Sequence, residues 1–331
     1  MKSRFQNKVA GSELTLPVCG GMAVILWWLP GWNFSVRNVL GLLLCLLTTY
    51  IVMETNARQL IIRIRTRIMS SVWLVLSTSL AFMHPLGEPL IAASLLCLAY
   101  PLLFHCYQHY NPQVYVFHAF LMLGIGSFFA PVMLLMAIPF FVYLAIFLRS
   151  LTWKAFWAGI LGIIVPYWCY VMWYIIMKDI ENIPQHLPFT IYHLEAVANY
   201  SSQSSGAGGS FSSTKSTLFT FHFSLSFAVL SLLCIVSIIH YLRTNYDDKI
   251  RVRMILYIYV IQTLMLMTYL VLQPAQYETT MALLVASACP LIAHYIALSK
   301  GILNTIFFIL SLLLVAAMAT LNLWMTSFSF S

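Results

Sequence analysis

Two short turns between long apolar runs hold the residues best suited to acid–base chemistry. Glu88 and His84 belong to HPLGEP (84–89), and Glu278 ends QPAQYE (273–278). A carboxylate at a boundary between water and lipid can serve as general base for a hydroxyl acceptor, or bind a metal ion on a lipid-linked phosphate. The turn around Glu88 is so short that its side chain must stay near that boundary, beside His84 and between two prolines. We therefore take Glu88, His84 and Glu278 as candidate catalytic residues, with solvated loop acids as the alternative.

The other potential ligands do not complete a metal or cofactor site. His105 and His109 would share one face of a helix, but a zinc site needs three or four ligands. Asp247 and Asp248 are adjacent in RTNYDDKIRVR (243–253) without a third ligand spaced nearby, so we expect a solvated loop neutralised by its own cations. The seven cysteines form no CxxC pair. The sequence predicts no metal and no cofactor, and it lacks the motifs of nucleotide-binding, dinucleotide-binding, metalloprotease and serine-hydrolase sites.

Composition indicates that lipid surrounds the chain. Of 331 residues, 61% are hydrophobic and 8% are charged, whereas a soluble domain carries about 25% charged residues. A helix that crosses a bilayer needs about 20 apolar residues. The apolar runs predict an all-α, polytopic transmembrane helix bundle with about eleven spans, near 16–32, 36–53, 69–84, 89–105, 113–128, 131–148, 155–177, 218–242, 254–273, 280–298 and 302–325.

The distribution of cations predicts the orientation of these spans. Arg37, Lys178 and Lys215 fall in segments on one side, and the other fourteen of the 17 lysines and arginines fall on the other side. Cytoplasmic loops carry such an excess of cations. We therefore expect a cytoplasmic N-terminus and a periplasmic C-terminus in a cell inner membrane. The net charge of +8 is thus a sign of topology, with a secondary attraction to anionic lipid, and we expect no nucleic-acid partner.

Residues 1–331 are expected to form a single integral membrane domain with two notable loops. A basic cytoplasmic loop covers 54–68, where ETNARQLIIRIRTR alternates isoleucine and arginine. It is either an amphipathic element on the inner surface or an anchor that fixes topology. A long periplasmic loop covers 178–217, contains Asp179, Glu181 and Glu195, and becomes rich in serine and glycine in its second half.

Within the apolar runs, residues suited to helix packing outnumber residues with reactive side chains. Every Asp, Glu, Lys and Arg lies at or beyond a predicted helix end, which disfavours an ion-coupled pump, because such proteins place charge near the middle of the bilayer. Gln262 is among the deepest polar groups and is expected to bond to another helix. Pairs of small residues four apart, Ala155 with Gly159 and Ala158 with Gly162, predict a close approach of two helices.

One segment resembles a known family. FHAFL (117–121), GIGSFFAP (124–131) and RSLTW with the following GxxxPYW (149–168) are similar to a family of uncharacterised multi-pass inner-membrane proteins of Bacteroidetes. The likeness covers about sixty residues well and the rest only in hydropathy. It implies an inner-membrane protein of a Gram-negative bacterium and brings no established activity.

The number of helices and the outer acids also resemble membrane glycosyltransferases that use polyprenyl-phosphate sugars. That superfamily places an acid in its first outer loop, whereas PGWNFSVR (30–37) has none. A transferase of this type would have to use another carboxylate. This likeness concerns the fold, which does not by itself carry a function.

Three functions follow as hypotheses. The first is a non-enzymatic scaffold or assembly component of the cell envelope, which fits the scarcity of charge within the spans. The second is a lipid-linked glycosyltransferase-like enzyme with its carboxylate on the outer face. The third is a transporter or flippase of an amphiphilic solute, for which five residues offer helix breaks: Gly126, Pro131, Pro139, Pro166 and Pro290. The expected partners are membrane lipid and either a lipid-linked substrate or other envelope membrane proteins.

Overall fold

The computed structural model describes residues 11–29, 35–64, 66–177, 212–299 and 302–329. This part of the chain is helical and contains no strand. Its eleven main helices are α1 Thr15–Trp28, α2 Val36–Gln59, α3 Ile68–Ser79, α4 Glu88–His105, α5 Gln113–Gly126, α6 Val132–Phe147, α7 Trp153–Met177, α8 Ser212–Thr244, α9 Ile250–Leu272, α10 Tyr277–Leu298 and α11 Ile302–Ser329.

Seven of these helices are long and apolar enough to cross a membrane, by length and composition: α2, α4, α7, α8, α9, α10 and α11. The other four, α1, α3, α5 and α6, are apolar but shorter. The all-helical membrane architecture predicted from the apolar runs is therefore confirmed in its class, and each predicted run contains a helix.

Two boundaries differ from the prediction. The third run ends at Ser79 instead of residue 84, because Leu80 is extended and Ala81–Met83 form a separate 3₁₀ turn. The hydroxyls of Ser77, Thr78 and Ser79 donate to carbonyls of the preceding turn, a pattern that competes with the helical backbone. The predicted outer loop 178–217 lies outside the described residues up to residue 211, and α8 already begins at Ser212.

Helix α10 forms the centre of the bundle. In its most apolar stretch 94% of the residues are buried, and it packs against α3, α4, α8 and α9. Its sequence contains five alanines and one serine, and small side chains allow helix backbones to approach closely. Polar contacts join it to its neighbours, since Cys289 Sγ lies 3.0 Å from Met69 O and Ser287 Oγ lies 3.3 Å from Thr263 Oγ1.

Helix α7 lies at the periphery, with 6% of its most apolar stretch buried, and packs mainly on α5. A Cβ added to Gly162 would lie 2.5 Å from Phe117 O, and one added to Gly124 would lie 3.1 Å from Ile163 O. Only glycine permits this approach, and with buried Ala155 and Gly159 it confirms the predicted close contact. Gln262, predicted to bond between helices, is fully buried and accepts a hydrogen bond from Tyr143 OH.

The loops that carry most cations meet at one end of the bundle, which we call the basic end. The loop after α2 contacts the loop after α8 through Arg63 and Asp248. The loop after α4 contacts the loop after α6 through Gln108 N and Leu148 O, and it approaches the start of α9 through Tyr107 and Arg251. Since α4 ends at the basic end, its first residue Glu88 stands at the opposite end.

The basic loop after α2 is not an amphipathic surface element in its described part. Helix α2 continues to Gln59, and Leu60 then adopts a left-handed conformation with φ of 52°. The next two residues, Ile61 and Ile62, are buried in the core. Both isoleucines enter the core because the chain bends here instead of continuing as a helix. The segment thus covers the core at the basic end of the bundle.

Candidate functional site

The predicted outer acids stand at the starts of two packed helices. Glu88 is the first residue of α4, and Glu278 is the second residue of α10. Both residues are exposed. Because α4 and α10 pack along each other, the two carboxylates lie within Coulombic range of each other. Two carboxylates at adjacent helix starts can accept a proton or share a cation with a bound phosphate.

His84 is held apart from these acids by its own contacts. Its ring stacks on Trp27 with the centroids 4.5 Å apart, and its Nε2 lies 3.0 Å from Thr78 O. Gly41 of α2 comes so close that a Cβ there would lie 2.1 Å from His84 O. The residue is 4% exposed, and it lies in the loop between α3 and α4. Burial lowers the pKa of His84 to about 4, although the bond to Thr78 raises it slightly, so the ring is neutral near pH 7.

A second cluster, at the basic end, contains a buried carboxylate. The Asp248 side chain is 0% exposed, and its Oδ2 lies 3.1 Å from His294 Nε2. Arg63 Nε lies 2.8 Å from Asp248 Oδ1, a close ion pair without the angle of a hydrogen bond. Arg63 also donates to Asp247 O at 3.2 Å. We call Arg63, Asp248 and His294 the basic-end triad.

The triad joins three parts of the chain that are distant in sequence. Arg63 belongs to the loop after α2, Asp248 precedes α9, and His294 lies in the last third of the central helix α10. The expectation of a solvated Asp247–Asp248 loop is therefore wrong for Asp248 and holds only for Asp247, whose side chain is 46% exposed. The sequence does contain a signal, an acid pair in a basic loop, but it does not reveal a partner 46 residues away.

Several buried nitrogens around the triad have no hydrogen-bond partner in the described residues. His294 Nδ1 and His240 Nδ1 are among them, and the two imidazole centroids are 6.3 Å apart. The rings pack on aromatic neighbours, with His294 edge-on to Tyr241 and His240 edge-on to Tyr295. Since Asp248 and His294 are both fully buried, a substrate in solution does not reach them. The arrangement fastens helices and loops together instead of presenting a reactive group.

No metal centre forms among the residues that the structure describes, because no three His, Cys, Asp or Glu side chains are placed to share an ion. The histidine pair considered for zinc is engaged elsewhere. His105 Nδ1 contacts Pro101 O, and its ring stacks on Tyr115. His109 Nδ1 accepts a hydrogen bond from the Asn111 amide. Asp179, Glu181 and Glu195 lie outside the described residues.

A groove and a small cavity lined by described residues both lie away from Glu88, His84 and Glu278. A groove of about 630 Å³ lies between α5 and α7, and its wall includes Phe128, Pro166, Tyr170 and Trp173. A much smaller cavity of about 10 Å³ lies inside the bundle beside Tyr100, Tyr259 and Cys289. It has room for about one water molecule, so the interior around α10 is filled by side chains.

Comparison of the chain with protein-family models, curated proteins and solved structures finds no match.

We predict that Asp248→Asn destabilises the fold by about 2 kcal/mol. The substitution leaves Arg63 without its buried counter-ion, and removing one partner of a buried pair costs about 3–5 kcal/mol when both are buried. The cost is lower here because the Arg63 side chain is 37% exposed. Chemical unfolding of the purified protein in detergent measures the change. Asp247→Asn is the matched control and should cost less than about 1 kcal/mol, as exposed ion pairs do; equal losses in both variants would contradict the role of burial.

We predict that His84 makes the fold sensitive to acid. The pKa of His84 is about 4 in the folded protein and 6.5 for an unperturbed histidine, so between these values the unfolded chain binds a proton that the folded chain does not. Stability should be complete above about pH 6.5 and fall as the pH drops to about 4, by on the order of 3 kcal/mol. His84→Phe keeps a ring against Trp27 and cannot titrate, so its stability relative to wild type should improve by that amount from pH 7 to pH 4. A constant difference across this range would refute the assignment.

Proposed function

We propose that the chain crosses a cell inner membrane eleven times, with its N-terminus in the cytoplasm and its C-terminus in the periplasm. The gathering of the cationic loops at the basic end supports this orientation, since cytoplasmic loops carry excess Lys and Arg. Four helices are short for a bilayer, and local thinning of the bilayer accommodates short spans at a modest cost.

A reporter fused after Ser331 tests this topology. Alkaline phosphatase, which needs the periplasm to become active, should be active at this position, and green fluorescent protein should not fluoresce there when exported unfolded. The same reporters fused within the loop after α6, at residue 150, provide the internal comparison and should give the reverse result. Fluorescence at residue 331 would overturn the topology.

Within this membrane placement, we propose that the protein is a non-enzymatic scaffold or assembly component of the cell envelope. The packing of α10 carries the proposal, because the central helix is almost completely buried and the cavity beside it has room for only about one water molecule. The buried carboxylate Asp248 is engaged by Arg63 and His294. A bundle whose interior is filled by side chains is suited to a rigid structural component.

A lipid-linked glycosyltransferase-like enzyme is the second candidate, and one observation favours it. Glu88 and Glu278 are exposed and within Coulombic range of each other at the end opposite the basic end. In the proposed orientation this end faces the periplasm, where such an enzyme would receive a lipid-linked sugar. His84 cannot assist as a surface base while its ring is buried on Trp27. A carrier of an amphiphilic solute remains a hypothesis based on helix breaks. Helix α6 is interrupted at Met136, three residues before Pro139, whereas α7 and α10 continue through Pro166 and Pro290.

Substitution of the two outer acids separates the scaffold from the enzyme. In cells whose envelope depends on this protein, Glu88→Gln with Glu278→Gln should restore the envelope as well as wild type does if the protein is a scaffold. If either carboxylate is a general base, surface glycan synthesis should fall by about 100-fold or more. Glycan labelling and membrane protein level are measured together.

The control is Asp248→Asn, which alters the fold without touching the outer acids. For a scaffold, envelope function should follow the amount of folded protein in the membrane across all variants. Loss of glycan in the double glutamine variant at a normal protein level would reject the scaffold and favour the transferase.

A further inference from the structure

Arg251 at the basic end is a cation held in place by uncharged groups. Its Nη2 donates to Gln59 Oε1 at 2.6 Å, and its guanidinium carbon lies 5.7 Å from the centroid of the Tyr107 ring. Gln59 is itself 4% exposed, so it offers a fixed acceptor. An arginine above a tyrosine ring gains cation–π attraction. Three segments, the end of α2, the loop after α4 and the start of α9, therefore fix one guanidinium.

Two arginines of the same end, Arg58 and Arg63, have acidic partners, whereas Arg251 forms no ion pair among the described residues. Arg58 pairs with Glu54, and Arg63 pairs with Asp247 and Asp248. Gln59 and Tyr107 orient Arg251 without neutralising it. A guanidinium carries five N–H donors, and Gln59 takes one of them. The residue is exposed, so its positive charge is accessible from outside the chain.

Apolar side chains flank this cation. Leu60, next to Gln59, and Ile250, next to Arg251, are both 60% exposed. Lys249, which immediately precedes α9, is exposed as well. We call Leu60, Tyr107, Lys249, Ile250 and Arg251 the Arg251 surface. This surface combines a fixed cation, a second cation and apolar side chains. It lies where the long apolar helices end, and in a membrane the lipid head groups lie at that level.

We propose that the Arg251 surface binds the phosphate head group of an anionic phospholipid. Arginine matches phosphate oxygens with paired N–H donors, and a guanidinium already oriented by the protein loses little side-chain entropy on binding. The exposed Leu60 and Ile250 side chains contact the upper part of the acyl chains, which a free phosphate does not have. The inference rests on the proposed membrane placement and holds for a scaffold or an enzyme alike.

The test uses the full-length protein purified in a neutral detergent and titrated with phosphatidylglycerol. A ligand that binds the folded state raises the unfolding temperature with concentration, which gives an apparent dissociation constant. Phosphatidylcholine with the same acyl chains is the reference lipid, and inorganic phosphate is the soluble arm. We expect tighter binding of phosphatidylglycerol than of phosphatidylcholine, and no rise with inorganic phosphate at the same concentration.

Arg251→Gln should weaken phosphatidylglycerol binding about fivefold, the effect of one surface cation on an anionic membrane. Arg243→Gln is the matched control, because Arg243 lies in the last turn of α8 and is exposed. It removes the same charge from the basic end but leaves Arg251 and its contacts, so binding should stay within about twofold of wild type. A similar loss in both variants would show a diffuse attraction and overturn the site.

Ile250→Glu provides a second test of the same site that does not depend on whether Arg251→Gln folds. The position is 60% exposed, and an acid in the first turn favours a helix, so this variant should fold while placing a negative charge beside Arg251. It should lower phosphatidylglycerol binding to the level of phosphatidylcholine. Unchanged binding in this variant, or an equal response of wild type to inorganic phosphate, would reject the phospholipid as the ligand.

Discussion

The burial of α10 is the constraint on which the rest of the bundle depends. A helix surrounded by four others can approach them only if its side chains are small, and five alanines supply such side chains along α10. In lipid, apolar burial adds little between helices, so close packing and interhelical hydrogen bonds hold them together. Cys289 and Ser287 provide such bonds in the middle of α10, and His294 provides one near its end. Its two ends then define the two chemical regions of the molecule.

The two ends of α10 differ in whether their carboxylates are exposed or paired, and this difference determines which carboxylates a substrate can reach. At one end Glu278 begins α10 beside Glu88, and both carboxylates are free to meet solvent or head groups. Near the other end His294 binds Asp248, which Arg63 also neutralises. Removing a carboxylate from water is costly unless it is paired. Asp248 can therefore be buried only because Arg63 and His294 are both present. Glu88 and Glu278 are therefore the candidate reactive carboxylates, and the buried Asp248 holds distant parts of the chain together.

Local properties of the sequence predicted the helices, but not the contacts between distant turns. Apolar runs of about 20 residues indicate helices because lipid requires every backbone group to be bonded internally. The pairs of small residues on α7 indicated a close approach to another helix, and the structure shows that this helix is α5. The end of α3 was missed because three hydroxyl residues in succession read as apolar helix until their bonds to the backbone are seen. The partners of His84 and Asp248 were missed because ring stacking and ion pairing across 57 and 185 residues leave no periodic trace.

The same reasoning explains why two arginines of the basic end, Arg63 and Arg251, have different consequences. Arg63 meets acids from the loop after α8 and becomes part of the internal structure. Arg251 meets an amide and an aromatic ring, which fix its position while leaving its charge in place. A fixed cation without a counter-ion raises the local potential, and an anion from outside the chain lowers the free energy most where the cation needs no rearrangement. The contacts that hold Arg251 are thus what turns a general excess of cations into one defined binding position.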